Sequence, residues 1–206
     1  MKVYIVGGGQ SNFLPFFPMG ATLTENIGAA DVVLFTGGPD VSPELYNETY
    51  HPSTVCSTGR DLYDMNKWNV VADHPVLKVG ICRGAQFLCV MNGGTLWQHV
   101  DNHQRWHNIT TEEDCFRVSS THHQMMREVG DGKILAYSRE TTIKQDDSSN
   151  FVQGDANHDL GDIFLDPEVV HWEDTNSLSV QYHPEYMDAN SAGVEYFQQL
   201  VRKYLN

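Results

Sequence analysis

The segment KVGICRGAQFLCVM, residues 78–91, constrains the chain more than any other. An apolar run stops at a Gly-x-Cys-x-Gly turn and resumes with apolar residues at helical spacing, which reads as strand, sharp turn, helix. Glycines at 80 and 84 suit such a turn, because side chains there would collide with the backbone as it doubles back. Cys82 is thereby held at the turn beside a helix N-terminus, whose unpaired N–H groups and dipole favour an anion and hence the thiolate. A thiol so placed is a candidate nucleophile. A buried, inert cysteine is the alternative, since free cysteine is among the most buried residue types, and Cys89 fits that description better.

A nucleophile of this kind needs a base. The segment SLSVQYHPEY, residues 177–186, alternates as a strand and delivers His183 at its end, with Glu185 two positions later. Pro184 ends strand pairing and fixes the backbone, so His183 and Glu185 can project to one side of an extended turn. Glu185 would then hold one imidazole nitrogen while the other faces the thiol, giving nucleophile, base and orienter in series.

The elbow GICRGAQ, followed about a hundred residues later by VQYHPE, resembles the class I glutamine amidotransferase superfamily in both order and spacing. Within it, GGPDVSP (37–43), GRD (59–61) and STHHQ (120–124) are similar to the gamma-glutamyl hydrolase branch, which includes gamma-glutamyl-GABA hydrolases. The resemblance implies an α/β fold. The expected form is a single domain over residues 1–206, a three-layer, flavodoxin-like sandwich with a mostly parallel central sheet and a strand–elbow–helix nucleophile. It implies a Cys82–His183–Glu185 triad, an oxyanion hole that includes Gly38, and Gln86, Thr121 and His122 lining the glutamyl pocket. Of the adjacent His122 and His123, only one could face the site from a strand, and His122 is favoured. Three departures stand out. Pro39 occupies a position where the branch often has glycine, Asp64 stands where it usually has glutamate, and the first crossover is short.

Amide hydrolysis by a thiolate passes through a tetrahedral oxyanion that backbone donors must receive. The N–H of Arg83 follows the nucleophile, and Gly37-Gly38 end a neighbouring apolar run where the backbone can approach a ligand closely. A plain strand-exit turn is the alternative for those glycines. Gln86 lies one helical turn beyond Cys82, although a surface glutamine would look the same. Arg60 and Asp61 match the branch's arginine–aspartate pair, or are simply a charged helix start with Asp61 and Asp64 satisfying the dipole.

At 206 residues and 40% hydrophobic, the chain suffices for one well-buried domain. A net charge of −14 opposes binding to nucleic acid or anionic membranes. The short N-terminal apolar run suggests neither a signal peptide nor a membrane span, so a cytoplasmic location is expected. There the cysteines would stay reduced and the NET and NIT sequons unmodified.

Apolar runs at 2–6, 31–36 and 78–82 predict parallel strands. Periodicity predicts helices over 61–73 and 192–205. From about 92 to 176 loops are expected, interrupted by strands at 115–119 and 134–137, with an acidic flap over 146–162. His99, His103 and His107 are spaced by four, but Asp101-Asn102 disfavours a helix. They are read as loop histidines, with no metal or cofactor expected. The leading function is a stand-alone thiol hydrolase with a small-molecule gamma-glutamyl substrate, free to form a homodimer. The runner-up is a glutaminase subunit that passes ammonia to a synthetase partner, and a non-enzymatic binding protein comes third.

Overall fold

A computed structural model describes residues 1–8, 10–18, 20–147, 151–153 and 165–205. In chain order its elements are β1 (Lys2–Val6), α1 (Gln10–Phe13), β2 (Thr22–Leu23), β3 (Val32–Phe35), α2 (Thr58–Val71), β4 (Leu77–Ile81) and α3 (Arg83–Met91). These are followed by β5 (Leu96–Trp97), β6 (His99–Val100), β7 (His107–Thr111), β8 (Cys115–Val118), β9 (Met125–Met126) and β10 (Lys133–Ser138). The last are β11 (Ile143–Gln145), β12 (Phe151–Gln153), β13 (Asp166–Trp172), β14 (Ser177–Val180) and α4 (Ala192–Tyr204).

The central sheet has nine strands in the order β2-β1-β3-β4-β14-β13-β10-β7-β8. The first five are mutually parallel, and the rest pair antiparallel. Only β13 and β7 therefore run against the common direction, so the expected mostly parallel sheet is found. Strands β3, β4 and β14 are buried along their whole length, because helices cover both faces. Side chains alternate between two cores. Val32 and Leu34 join Val79, Val194, Phe197 and Val201 on the α4 face, whereas Val33 and Phe35 join Trp68, Val71, Phe87 and Leu88 on the α2–α3 face. This makes the expected three layers.

The helix predicted over 61–73 begins earlier, at Thr58, because Ser57 caps it by accepting from the Arg60 N–H at 3.4 Å. The region expected to be mostly loop holds more strands than the two anticipated. Strand β13 lies inside the sheet although Pro167 reads as a loop residue; the proline sits near its start, where the ladder with β10 is irregular. Part of the proposed acidic flap, residues 148–150 and 154–162, lies outside the described residues; the rest forms the end of an exposed turn and β12.

Candidate active site

Cys82 follows the carboxyl end of β4, where ligands collect in open parallel sheets. It adopts φ 54° and ψ −111°, a positive φ that costs a side-chain-bearing residue energy and marks a functional turn. Its carbonyl accepts from the N–H groups of Ala85 and Gln86 at 3.0 and 3.2 Å, so helix α3 starts on the cysteine itself. The flanking glycines are sterically required. A Cβ on Gly84 would lie 2.0 Å from the Phe35 carbonyl oxygen, and one on Gly80 would lie 2.3 Å from that of Gly84.

The base arrives on the neighbouring parallel strand. Val180 pairs with Ile81, and the Cys82 N–H donates to the Val180 carbonyl at 2.9 Å, which sets residues a hundred positions apart side by side. Just past β14, His183 turns back over the thiol. Its Nδ1 lies 2.6 Å from Glu185 Oε1, and its Nε2 lies 3.0 Å from Thr121 Oγ1. The Ser119 hydroxyl donates to the His183 carbonyl at 2.6 Å, and Tyr186 stacks on the imidazole at 4.6 Å. Burial favours the neutral ring, but hydrogen bonds and charge from Cys82 and Glu185 outweigh it and raise the His183 pKa to about 10. The imidazolium is thus the resting form at neutral pH.

The glycine loop at the end of β3 completes the cleft. Arg60 reaches it from the first turn of α2, donating through Nη1 to the Gly37 carbonyl at 3.0 Å and through Nη2 to that of Thr36 at 2.9 Å. Its Nε is held by Asp64 at 2.9 Å. In a trans peptide the carbonyl and the following N–H point opposite ways, so this grip turns the Gly38 N–H away from Arg60. A Cβ at Gly38 would meet Arg60 Nη1 at 2.7 Å, and one at Gly37 would lie 3.4 Å from His183 Cε1. The Arg83 side chain points away from the thiol and pairs, fully buried, with Asp61 at 2.5 Å and with Asp64. Asp61 also accepts from Ser42 at 2.5 Å. The charged start of α2 is therefore a buried clamp joining elbow to glycine loop.

All eight residues singled out from the sequence, Gly38, Cys82, Arg83, Gln86, Thr121, His122, His183 and Glu185, line one cleft of about 540 Å³. Two expectations need correction. Residues 119–124 are not a strand, so His122 and His123 both line the cleft. His123 Nε2 reaches Asp40 at 3.2 Å, while His122 Nδ1 and Gln86 Nε2 are both spent on the Gln124 carbonyl, at 2.8 and 2.9 Å. Secondly, His103 and His107 are not surface loop histidines: both are buried, and His107 opens β7. Sequence reasoning missed Tyr186 and Asp40 as cleft residues, although both adjoin motifs it used.

The family model described as peptidase C26 matches residues 1–114, just over half of the chain. The chain belongs to this family. Among similar proteins, the glutamine amidotransferase-like YvdE homologue of Lactococcus lactis subsp. cremoris is 36% identical over 138 residues, covering 53% of this chain and 72% of that protein. Protein NtpR of Enterococcus hirae is 26% identical over 210 residues, covering 89% and 79%. The C26 chain also shares its fold with a GMP synthase protein from Thermoplasma acidophilum. That match has TM-score 0.61 and 14% identity, covering 100% of this chain and 92% of the other. A glutamine amidotransferase of Thermotoga maritima gives TM-score 0.59 and 13% identity, covering 98% and 84%. Family and fold together support a glutamine amidotransferase-like hydrolase. Among the described residues no helix is long and apolar enough to cross a membrane.

Proposed function

We propose that this chain is a cysteine-dependent hydrolase of gamma-glutamyl amides, with Cys82 as nucleophile, His183 as acid–base and Glu185 as orienter. The observation that carries the reading is the series of contacts at the elbow: a thiol on a strained turn, an imidazolium over it, and a carboxylate 2.6 Å behind the imidazolium. The thiolate attacks the γ-carbonyl carbon and a C–S bond forms. The carbonyl electrons move onto oxygen, which the N–H groups of Gly38 and Arg83 receive. Collapse breaks the C–N bond as His183 gives its Nε2 proton to the leaving amine. Water then attacks the glutamyl thioester and passes a proton to His183; the C–S bond breaks, and glutamate and the thiolate are released. Gln86, Thr121 and His122 line the glutamyl end of the cleft in this reading.

The similarity of GGPDVSP, GRD and STHHQ to the gamma-glutamyl hydrolase branch favours action without a partner. Purified protein should cleave a gamma-glutamyl amine or peptide and discriminate against alpha-linked glutamyl peptides. A site that pairs the free α-amino and α-carboxylate groups leaves them mismatched with an alpha-linked ligand, which can be worth a factor of ~10⁴. A steady-state panel of gamma- and alpha-linked substrates, with glutamine included, tests this. Turnover that appears only on adding a second protein would replace it with the glutaminase-subunit reading.

A further inference from the structure

We infer that His103, His122 and Glu168 form a site for one late first-row divalent metal ion such as Zn²⁺, buried beside the cleft and separate from the thiol. One ligand atom from each of the three side chains lies within 4.8 Å of the other two, and all three residues are buried. Even at that upper separation a common centre lies about 2.8 Å from each atom, so closure by under 1 Å brings them to the ~2.0–2.2 Å of zinc bonds to histidine and carboxylate.

Hydrogen bonding around the cluster decides which atoms are available. Thr141 donates its hydroxyl to Asp166 Oδ2 at 2.7 Å, so the Thr141 and Asp166 oxygens that face His103 Nε2, at 2.9 and 3.2 Å, are both acceptors there. The proton of a neutral His103 therefore sits on Nε2, leaving a lone pair on Nδ1, 3.4 Å from Glu168 Oε1. His122 gives its Nδ1 proton to the Gln124 carbonyl at 2.8 Å, which leaves a lone pair on Nε2. Glu168 Oε1 accepts from His107 Nε2 at 2.8 Å, and its Oε2 is acceptor-only. His103 Nδ1, His122 Nε2 and Glu168 Oε2 are all buried without a hydrogen-bond partner. Three acceptors facing one another with no donor among them repel unless a cation joins them.

Two imidazoles and one carboxylate suit zinc and its neighbours rather than magnesium or calcium, which prefer oxygen donors. The surroundings are those of a metal site. Each ligating histidine has its other ring nitrogen anchored, one on a carboxylate and one on a backbone carbonyl, which fixes tautomer and ring orientation. Asp166 is in turn held by the buried Lys144 at 2.7 Å. Bound metal would pin the 119–124 segment, and with it Thr121 against His183, to β13.

The test uses Cys82→Ala, which removes the thiolate–imidazole pair as a competing ligand set. After chelator treatment this protein is titrated with Co²⁺, then Zn²⁺. The expected result is one Co²⁺ per chain with visible d–d absorption and no thiolate charge-transfer band, and Zn²⁺ raising Tm by at least about 5 °C. Adding Glu168→Gln or His103→Asn should abolish the spectrum, while His123→Ala, in the neighbouring histidine stack, should leave it intact. If those variants misfold, the stoichiometry and spectrum of the Cys82→Ala protein still decide. No Co²⁺ spectrum and no Zn²⁺ shift, or a spectrum lost only in His123→Ala, overturns the site.

Discussion

The two halves of the central sheet solve the placement of polar groups in opposite ways. In the parallel half, β3, β4 and β14 are buried and largely apolar, and chemistry begins only where each strand stops, at Gly37-Gly38, Cys82 and His183. Backbone conformation does the positioning there, through glycines that admit no Cβ and one cysteine at positive φ. In the antiparallel half polar groups lie within the strands themselves. Asp166 and Glu168 on β13 are fully buried, held by Lys144, His103 and His107. One half therefore exposes reactive groups at strand ends, while the other encloses charge that only mutual pairing makes tolerable. A substitution at a strand end should cost turnover, whereas one within the antiparallel strands should cost stability.

The sharpest test of that division is Cys82→Ala. It should lower turnover by ~10⁴-fold or more with the fold retained, while Cys115→Ala, on the antiparallel edge, should stay within about twofold. Iodoacetamide should label Cys82 well ahead of Cys56 and Cys115, and equal labelling would end its claim to special reactivity.

His183→Ala should follow, at ~10³-fold or more in kcat, with Glu185→Gln costing less because base and nucleophile stay in place. The pH profile gives an independent reading. His183 is raised to about 10, so its proton is present below that value and lost as pH rises through it, and the alkaline limb of kcat/KM should fall there. Glu185→Gln removes a group that holds the proton and should move that limb toward neutrality; an unmoved limb would deny Glu185 its role.

Arg60→Ala comes third. With the Gly37 carbonyl released, the Gly38 N–H loses its fixed aim, and kcat should fall ~10–10²-fold with little change in KM. Equal loss in both, or none, would mean that the arginine merely packs against the loop.

The smallest expected effect on turnover, and the largest on stability, is Asp166→Asn. Breaking a buried pair leaves Lys144 uncompensated, at roughly 3 kcal/mol, or a Tm lower by about 6–12 °C for a chain of this size, with kcat within tenfold of the parent at a temperature where both are folded. A large loss of kcat at unchanged Tm would break the division between the halves.

The same contrast explains what could be read from the sequence. Strand ends marked by glycines leave a local signature: GICRG fixed the elbow, and the apolar runs before Gly7, Gly37 and Cys82 gave β1, β3 and β4 to within a residue or two. The antiparallel half has no such punctuation. Strand β7 reads HNITT and β13 reads DPEVVHW, and each looks polar or broken until its partners are known, because Glu168 becomes an acceptable core residue only once His107 lies 2.8 Å away. Burial of His103 was unreadable for the same reason, since its anchor Asp166 is 63 positions distant. At the cleft, the residues were legible but the Arg60 grip on the glycine loop was not, because it joins a helix start to a strand end through backbone carbonyls that carry no residue code.

The backbone of Cys82 has a consequence of its own. At φ 54° the position favours a residue without a β-carbon, and forcing a side chain into such a turn costs roughly 1–2 kcal/mol, partly offset by the entropy a glycine would lose on folding. Cys82→Gly should therefore unfold at a higher temperature than Cys82→Ala, by a few degrees. At this single position the most comfortable residue is the one that can do no chemistry, so mutational drift toward a sturdier fold and retention of the thiol pull in opposite directions.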